Sequence, residues 1–245
     1  MKLKLTLVVV AMGFVSCLNA QTADEILAKY FENTGGIDKW EELKTLTMVG
    51  KLPTPQGDFP LKVYAKSPNK TKVVLNVQGQ EIVQAAYDGE TAWTLNPFAG
   101  GTEPVKLDDE QAKEIKDQNV EDDFIDYKSK GHVVTLQGKE EIDGVQCFTL
   151  KLEKNKNNDK DDVTKIYYFD TENYVPLMYK SYIQSGPQKG TEMQTFMSDY
   201  QEAGGLMMPF YIEQKINGQT VSKIVVEKYL VNEDIDDSVF AFSKK

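Results

Sequence analysis

Few side chains in this chain are equipped for covalent or proton-transfer chemistry. His132 is the single histidine, and it opens a strand-like run with no serine or cysteine nucleophile pattern beside it. It is read as structural or exposed. Cys147 lies in an apolar run between Gln146 and Phe148, where a thiol behaves as a small buried hydrophobe. With Cys17 assigned to an N-terminal leader, one histidine and one cysteine cannot assemble the usual zinc ligand set. Two acidic clusters remain. Asn157-Asn158-Asp159-Lys160-Asp161-Asp162 lacks the glycine and terminal glutamate of a calcium loop and reads as a solvated hairpin tip. Glu121-Asp122-Asp123, between Val120 and Phe124, reads as the polar end of a helix. No glycine-rich loop follows a strand, so nucleotide binding has no support. All 28 basic residues are lysines, which removes the bidentate clamps that arginine offers to phosphate and carboxylate. The formal charge of −10 opposes attraction to nucleic acid or to an anionic membrane. The reading is therefore of a chain without catalytic residues, metal or cofactor.

The chain is rich instead in large, soft apolar side chains near its C-terminus. Met178, Met193, Met197, Met207 and Met208 fall there together with Tyr182, Phe196 and Phe210. Unbranched thioethers adapt to irregular partners, so such a group suits either a core or an apolar binding surface. The elements that must position it are mostly strands. A first helix is expected over Asp24 to Phe31, with Ile26, Leu27, Tyr30 and Phe31 on one face and Thr22 or Asp24 as its cap. Asn33-Thr34-Gly35-Gly36 stops it, and a second short helix over Ile37 to Leu43 carries Trp40. Packing of Tyr30, Phe31 and Trp40 onto a sheet accounts for this apolar face.

From Thr45 onward the pattern is strands and turns. Strands are expected at Lys62 to Lys66, Lys72 to Val77, Glu81 to Tyr87 and Thr91 to Leu95. They continue at His132 to Leu136, Gln146 to Leu152, Val163 to Phe169, Val175 to Ile183, Glu192 to Tyr200, Met207 to Ile216 and Thr220 to Leu230. Gln78-Gly79, Asp88-Gly89, Asp143-Gly144, Gly204-Gly205 and Asn217-Gly218 mark turns between them. Asp108 to Tyr127 interrupts the strands with one or two amphipathic helices. There is no βαβ alternation, so the economical architecture is one large, curved antiparallel sheet. Val163, Tyr167 and Phe169 point one way while Ile166 and Tyr168 point the other. A sheet with one solvated face does not need apolar residues on both, whereas one wrapped around helices or a ligand does. With the helical interruption across its mouth, such a sheet outlines a lidded apolar pocket. Its candidate lining or lid residues are Trp93, Phe98, Ile115, Phe124, Met178, Met193, Met197, Met208 and Phe210.

The N-terminus adds a destination. Lys2 and Lys4, the uncharged stretch Leu5 to Val15, and Asn19-Ala20 before Gln21 have the layout of a secretory signal spanning residues 1–20. The stretch is shorter than the ~20 apolar residues that span a bilayer. Cleavage after Ala20 leaves residues 21–245 as one domain with no possible internal disulfide. Phe14-Val15-Ser16-Cys17 offers the alternative of a chain anchored through lipidated Cys17.

Several segments together resemble the outer-membrane lipoprotein-sorting, LolA/LolB-like family. They are Gly35-Gly36 with Trp40, Tyr87-Asp88-Gly89-Glu90-Thr91-Ala92-Trp93 leading to Asn96-Pro97-Phe98, and Tyr168-Phe169-Asp170 with Tyr174-Val175-Pro176. Asp199-Tyr200, Gly205-Leu206, Pro209-Phe210 and the closing Asn232 to Phe242 complete the pattern. The resemblance implies an incomplete barrel of antiparallel strands around helices that shelters lipid or lipoprotein acyl chains in the periplasm. An arginine helps hold the lid of such carriers closed, and this chain has none, so that contact does not carry over. The expectation is a mainly β (α+β) fold and a non-enzymatic periplasmic carrier. The alternative is a module on the same fold that meets an envelope protein partner at an exposed edge or groove.

Overall fold

The computed structural model describes residues 21–99, 101, 103–116, 118, 120–154 and 163–243. The leader read at 1–20, with Cys17, and the acidic tip at 157–162 lie outside the described residues.

Two helices open the domain, α1 (Ala23–Asn33) and α2 (Ile37–Glu41). Thr22 is the cap of α1. Its Oγ accepts from Glu25 N–H at 3.2 Å while the Glu25 carboxylate accepts from Thr22 N–H at 2.8 Å, so two orphan donors are satisfied reciprocally. The turn into α2 is tied by Thr34, whose hydroxyl donates to Tyr30 O at 2.7 Å and accepts from Trp40 Nε1–H at 3.0 Å.

The strands then run β1 (Thr45–Thr54), β2 (Gly57–Lys66), β3 (Lys70–Val77), β4 (Gln80–Tyr87), β5 (Ala92–Leu95) and β6 (Val105–Lys106). Helix α3 (Asp109–Lys116) and a run of turns over 121–131 intervene. The second series is β7 (Val133–Ile142), β8 (Val145–Lys154), β9 (Val163–Asp170), β10 (Pro176–Tyr182), β11 (Glu192–Ala203), β12 (Leu206–Ile216) and β13 (Gln219–Val231). Among the described residues these form one 13-stranded sheet in the order β6-β5-β4-β3-β2-β1-β13-β12-β11-β10-β9-β8-β7. Each series is a meander, and antiparallel pairing of β1 with β13 joins the two. The sheet curves without closing, which leaves β6 and β7 as edges. Among the described residues, no helix is long and apolar enough to cross a membrane.

Turn chemistry explains the regularity. Gln78-Gly79, Asp143-Gly144, Gly204-Gly205 and Asn217-Gly218 each have positive φ at both residues, the mirror-image turn that matches strand twist. Two features depart from the expected elements. Strand β1 is ten residues long although Gly50 and Pro53 punctuate its sequence. Gly50 sits at a register shift opposite β13, and Pro53 falls near the hairpin end, paired with Asp58. The interruption forms a helix only over α3. Residues 121–131 form turns, with Asp126 at φ 51°, because their acidic side chains bond inward to fixed partners rather than lying along a helix surface.

The main core fills one end of the sheet's inner face. Ile26, Leu27, Tyr30 and Phe31 of α1, with Trp40, pack on Leu150 and Leu152 of β8, Phe169 of β9 and Met208 of β12. Val120, Phe124 and Ile125 close over them. Residues of opposite parity are buried on the outer face. Cys147, Tyr168 and Met178 form one cluster there, and Val74, Val83, Ala86 and Trp93 form another. The C-terminal segment covers the latter, with Trp93 Nε1–H donating to Phe240 O at 2.9 Å and Lys72 Nζ to Val239 O at 3.0 Å. Apolar residues on both faces of β3 to β5 thus follow from the inner core on one side and the C-terminal segment on the other.

Candidate functional site

Beyond the helix-filled end, the inner face borders a cavity of about 890 Å³. Leu46 and Met48 of β1, Val63 and Ala65 of β2, Met193 and Met197 of β11, and Tyr229 of β13 give it apolar walls. Its volume falls within the ~300–1,000 Å³ typical of small-ligand sites. α3 lies over the β4–β5 side, burying Ala112 and Ile115 against Tyr87 and Ala92 and presenting Lys113 and Lys116 to the cavity. The β10–β11 loop contributes Ile183 and Gln184 at the opposite rim. Lys189 of that loop stands 3.8 Å from Glu110 of α3.

A polar cluster lies where the cavity meets the core. Asp122 and Asp123 both line the cavity, and both carboxylates are fastened. Asp122 Oδ2 accepts from the Tyr30 hydroxyl at 2.8 Å and Oδ1 from Phe124 N–H at 2.9 Å. Asp123 meets Lys154 Nζ at 2.8 Å and Lys165 Nζ at 2.6 Å, and its Oδ2 also accepts from the Tyr167 hydroxyl. Burial pushes the Asp122 carboxyl up to about 6, with the Asp123 charge adding to it against the Phe124 hydrogen bond. Burial acts on Asp123 in the same direction, but the ammonium groups of Lys165 and Lys154 outweigh it and hold that carboxyl well below the usual range. Two carboxyls driven apart in this way can mark an acid–base pair. Here every carboxylate oxygen is engaged by a protein donor, so the pair serves as a fastening for the 120–131 turns. The outer end of the same segment is held by Asp24, which accepts from the Tyr127 hydroxyl and from Lys128 Nζ.

The residues picked from sequence divide by position. Phe124, Met193 and Met197 line the cavity. Met208 belongs to the adjoining core, and Phe210 packs at the inner face with its ring 5.3 Å from that of Tyr229. Ile115 is on the buried face of α3, packed against the sheet. Met178 and Trp93 are on the outer face, away from the cavity, and Phe98 is 53% exposed. The methionine group is therefore split by strand parity between two faces. Asp122 and Asp123 do not end a helix; they are inward-turned members of the site. Strand parity carried a signal for them. Lys154 follows Leu150 and Leu152 on the inner face, and Lys165 lies between Val163 and Tyr167. A lysine on the buried parity of two paired strands requires a carboxylate from elsewhere in the chain. Cys147 is fully buried, and burial pushes its thiol up to about 11, so it is poorly suited to nucleophilic attack.

An open antiparallel sheet curved around helices is the fold this chain shares with LolA superfamily structures. A family described as "Uncharacterized protein" matches residues 74–244, well over half of the sequence, and the chain belongs to that family. Among solved structures, a LolA superfamily protein of Nitrosomonas europaea is similar at 16% identity and TM-score 0.55, over 91% of this chain and 98% of its own. A DUF1329 family protein of Desulfovibrio piger is similar at 12% identity and TM-score 0.56, over 88% and 97%. A domain described as an outer membrane lipoprotein-sorting protein, from Vibrio parahaemolyticus, is similar at 11% identity and TM-score 0.52, over 88% and 94%. At these identities the likeness concerns the fold. No curated protein matches the sequence.

Proposed function

We propose that this protein is an exported, non-enzymatic carrier or chaperone of the periplasm that shelters lipid or lipoprotein acyl chains in its half-barrel cavity. The observation that carries the reading is the cavity of about 890 Å³, one wall of which is built from methionines and from the aliphatic residues of β1 and β2. Binding would proceed by burial, each sheltered methylene contributing ~0.8 kcal/mol. In the same reading, residues 1–20 direct export and are removed, leaving a mobile carrier, whereas lipidation of Cys17 would tether it. Intact mass of the mature protein separates the two. The carrier reading is tested by delipidating the purified protein and titrating it with a fluorescent fatty acid and a lipopeptide. Saturable uptake supports it, and no uptake of either overturns it.

A second reading rests on edge strand β7. Strand β8 pairs with one side of its ten residues, and among the described residues no strand pairs with the other. An extended peptide from an envelope partner would add to such an edge. A stable complex from envelope extract, free of extractable lipid, would favour this module over the carrier.

A further inference from the structure

Directly behind the cavity wall formed by the C-terminal strands lies a polar atom that its surroundings do not satisfy. Thr195 of β11 is only 3% exposed, and its Oγ has no hydrogen-bond partner among the described residues. Register places it on the inner face of the sheet, beneath the side chains that line the cavity rather than among them. It pairs directly with Tyr179 of β10 and with Gln214 of β12, both of which line the cavity. Two residues to either side along β11 are Met193 and Met197, which line it as well. The next pairs along the strands are Met193 with Ile216 and Met197 with Ile212. Thr195 and Gln214 therefore form a polar step between two apolar levels of the wall.

A hydroxyl buried without a partner costs stability, and valine would fill the same space without that cost. A step of this kind suits a ligand that is apolar on both sides of an uncharged hydrogen-bond acceptor. The unbranched methionines on either side can change rotamer to admit it. We propose that the ligand is an acyl ester whose carbonyl oxygen, once Met193 or Met197 turns aside, accepts a hydrogen bond from the Thr195 hydroxyl, with the Gln214 amide as neighbouring donor, while the alkyl chain lies against the methionines. This rests on the carrier reading and narrows it, since a hydrocarbon tail alone would leave the hydroxyl unpaired.

The test compares two lysophospholipids of equal chain length and headgroup, one with an acyl ester linkage and one with the ether analogue that lacks the carbonyl. Each is titrated into delipidated wild type, Thr195→Val and Thr195→Ser. Wild type is expected to prefer the ester about fivefold, which corresponds to about 1 kcal/mol at 1.4 kcal/mol per tenfold. Thr195→Val should lose the preference by weakening the ester alone, and Thr195→Ser should retain it. Thermal unfolding of Thr195→Val no lower than wild type shows that the variant is folded. If both lipids bind wild type equally, or if Thr195→Val keeps the ester preference, this inference falls while the carrier reading stands. If neither lipid binds any of the proteins, the carrier reading falls and takes the inference with it.

Discussion

Replacing Asp123 by asparagine should be among the most destabilising single changes available in this protein. The carboxylate holds two ammonium groups, Lys154 at 2.8 Å and Lys165 at 2.6 Å, and Lys154 is only 5% exposed. Asparagine keeps the shape and removes the charge, so the carboxylate that meets one deeply buried and one partly buried lysine is lost. Removing one partner of a buried ion pair costs about 3–5 kcal/mol. Set against a typical total of ~5–15 kcal/mol, that is a large fraction of the fold's stability. Urea unfolding followed by Trp40 and Trp93 fluorescence would measure it at pH 7.5. The pH dependence carries a sign. The Asp123 carboxyl is lowered in the folded state, so its contribution is fully present above the unfolded value of 3.8 and is lost as pH falls below it. Asp122 behaves in the opposite sense. Its folded value of about 6 lies above 3.8, so the folded state favours protonated Asp122 and wild type loses stability as pH rises from about 4 to about 6. Asp122→Asn should abolish that decline while keeping an acceptor for the Tyr30 hydroxyl or for Phe124 N–H. An Asp123→Asn cost below about 1 kcal/mol, or equal costs for the two variants at pH 7.5, would refute the cluster as described.

Two further outcomes follow from the geometry. Met193→Gln combined with Met197→Gln should lower affinity for a fluorescent fatty acid roughly tenfold or more, because two amides are set against the alkyl chain. Met178→Leu, on the outer face beside Cys147 and Tyr168, should leave that affinity unchanged, and equal losses in the two titrations would contradict the assignment of faces. Gly35→Ala should lower stability by at least about 2 kcal/mol by differential scanning calorimetry. Its φ is +119°, and a Cβ there would lie 2.2 Å from Gly205 O, where the turn after α1 meets the β11–β12 hairpin. A change below about 0.5 kcal/mol would mean that the turn and the hairpin separate easily.

Much of the fold was legible because turn residues and alternation are local. Asp143-Gly144 and Asn217-Gly218 announce their hairpins by side-chain chemistry alone, and the two-sided burial of β9 follows from counting every second residue. Strand β1 was harder to see because Gly50 and Pro53 are read locally as breakers. Gly50 is required by contact with a strand far away in sequence, since a Cβ there would lie 2.4 Å from Val225 O. Segment 120–131 misled for a related reason. Val120, Phe124 and Ile125 are spaced as on a helix, but that spacing also serves a folded-back loop whose acids reach inward.

The location of the cavity was legible only in part, because it depends on where the filling of the sheet stops. Side chains of α1 and α2 are long enough to cover Leu150, Leu152, Phe169 and Met208, and beyond them the same inner face continues through Met48, Val63 and Met197 as the wall of the cavity. An apolar wall in contact with water is costly, so a boundary between the filled and unfilled parts must be polar and must be held in place. Asp122 and Asp123 meet both requirements, since their carboxylates face the cavity while their partners Tyr30 and Tyr167 belong to the core. The two lysines on the buried parity of β8 and β9 are thus the sequence-level trace of this boundary. A chain without arginine can hold the segment over its cavity because Asp123 engages two lysines at once. Changing Lys154 and Asp123 together to apolar residues should recover stability that Asp123→Asn loses. The same change should also alter the cavity wall beside Asp123, which would appear as altered lipid uptake in a protein that still folds.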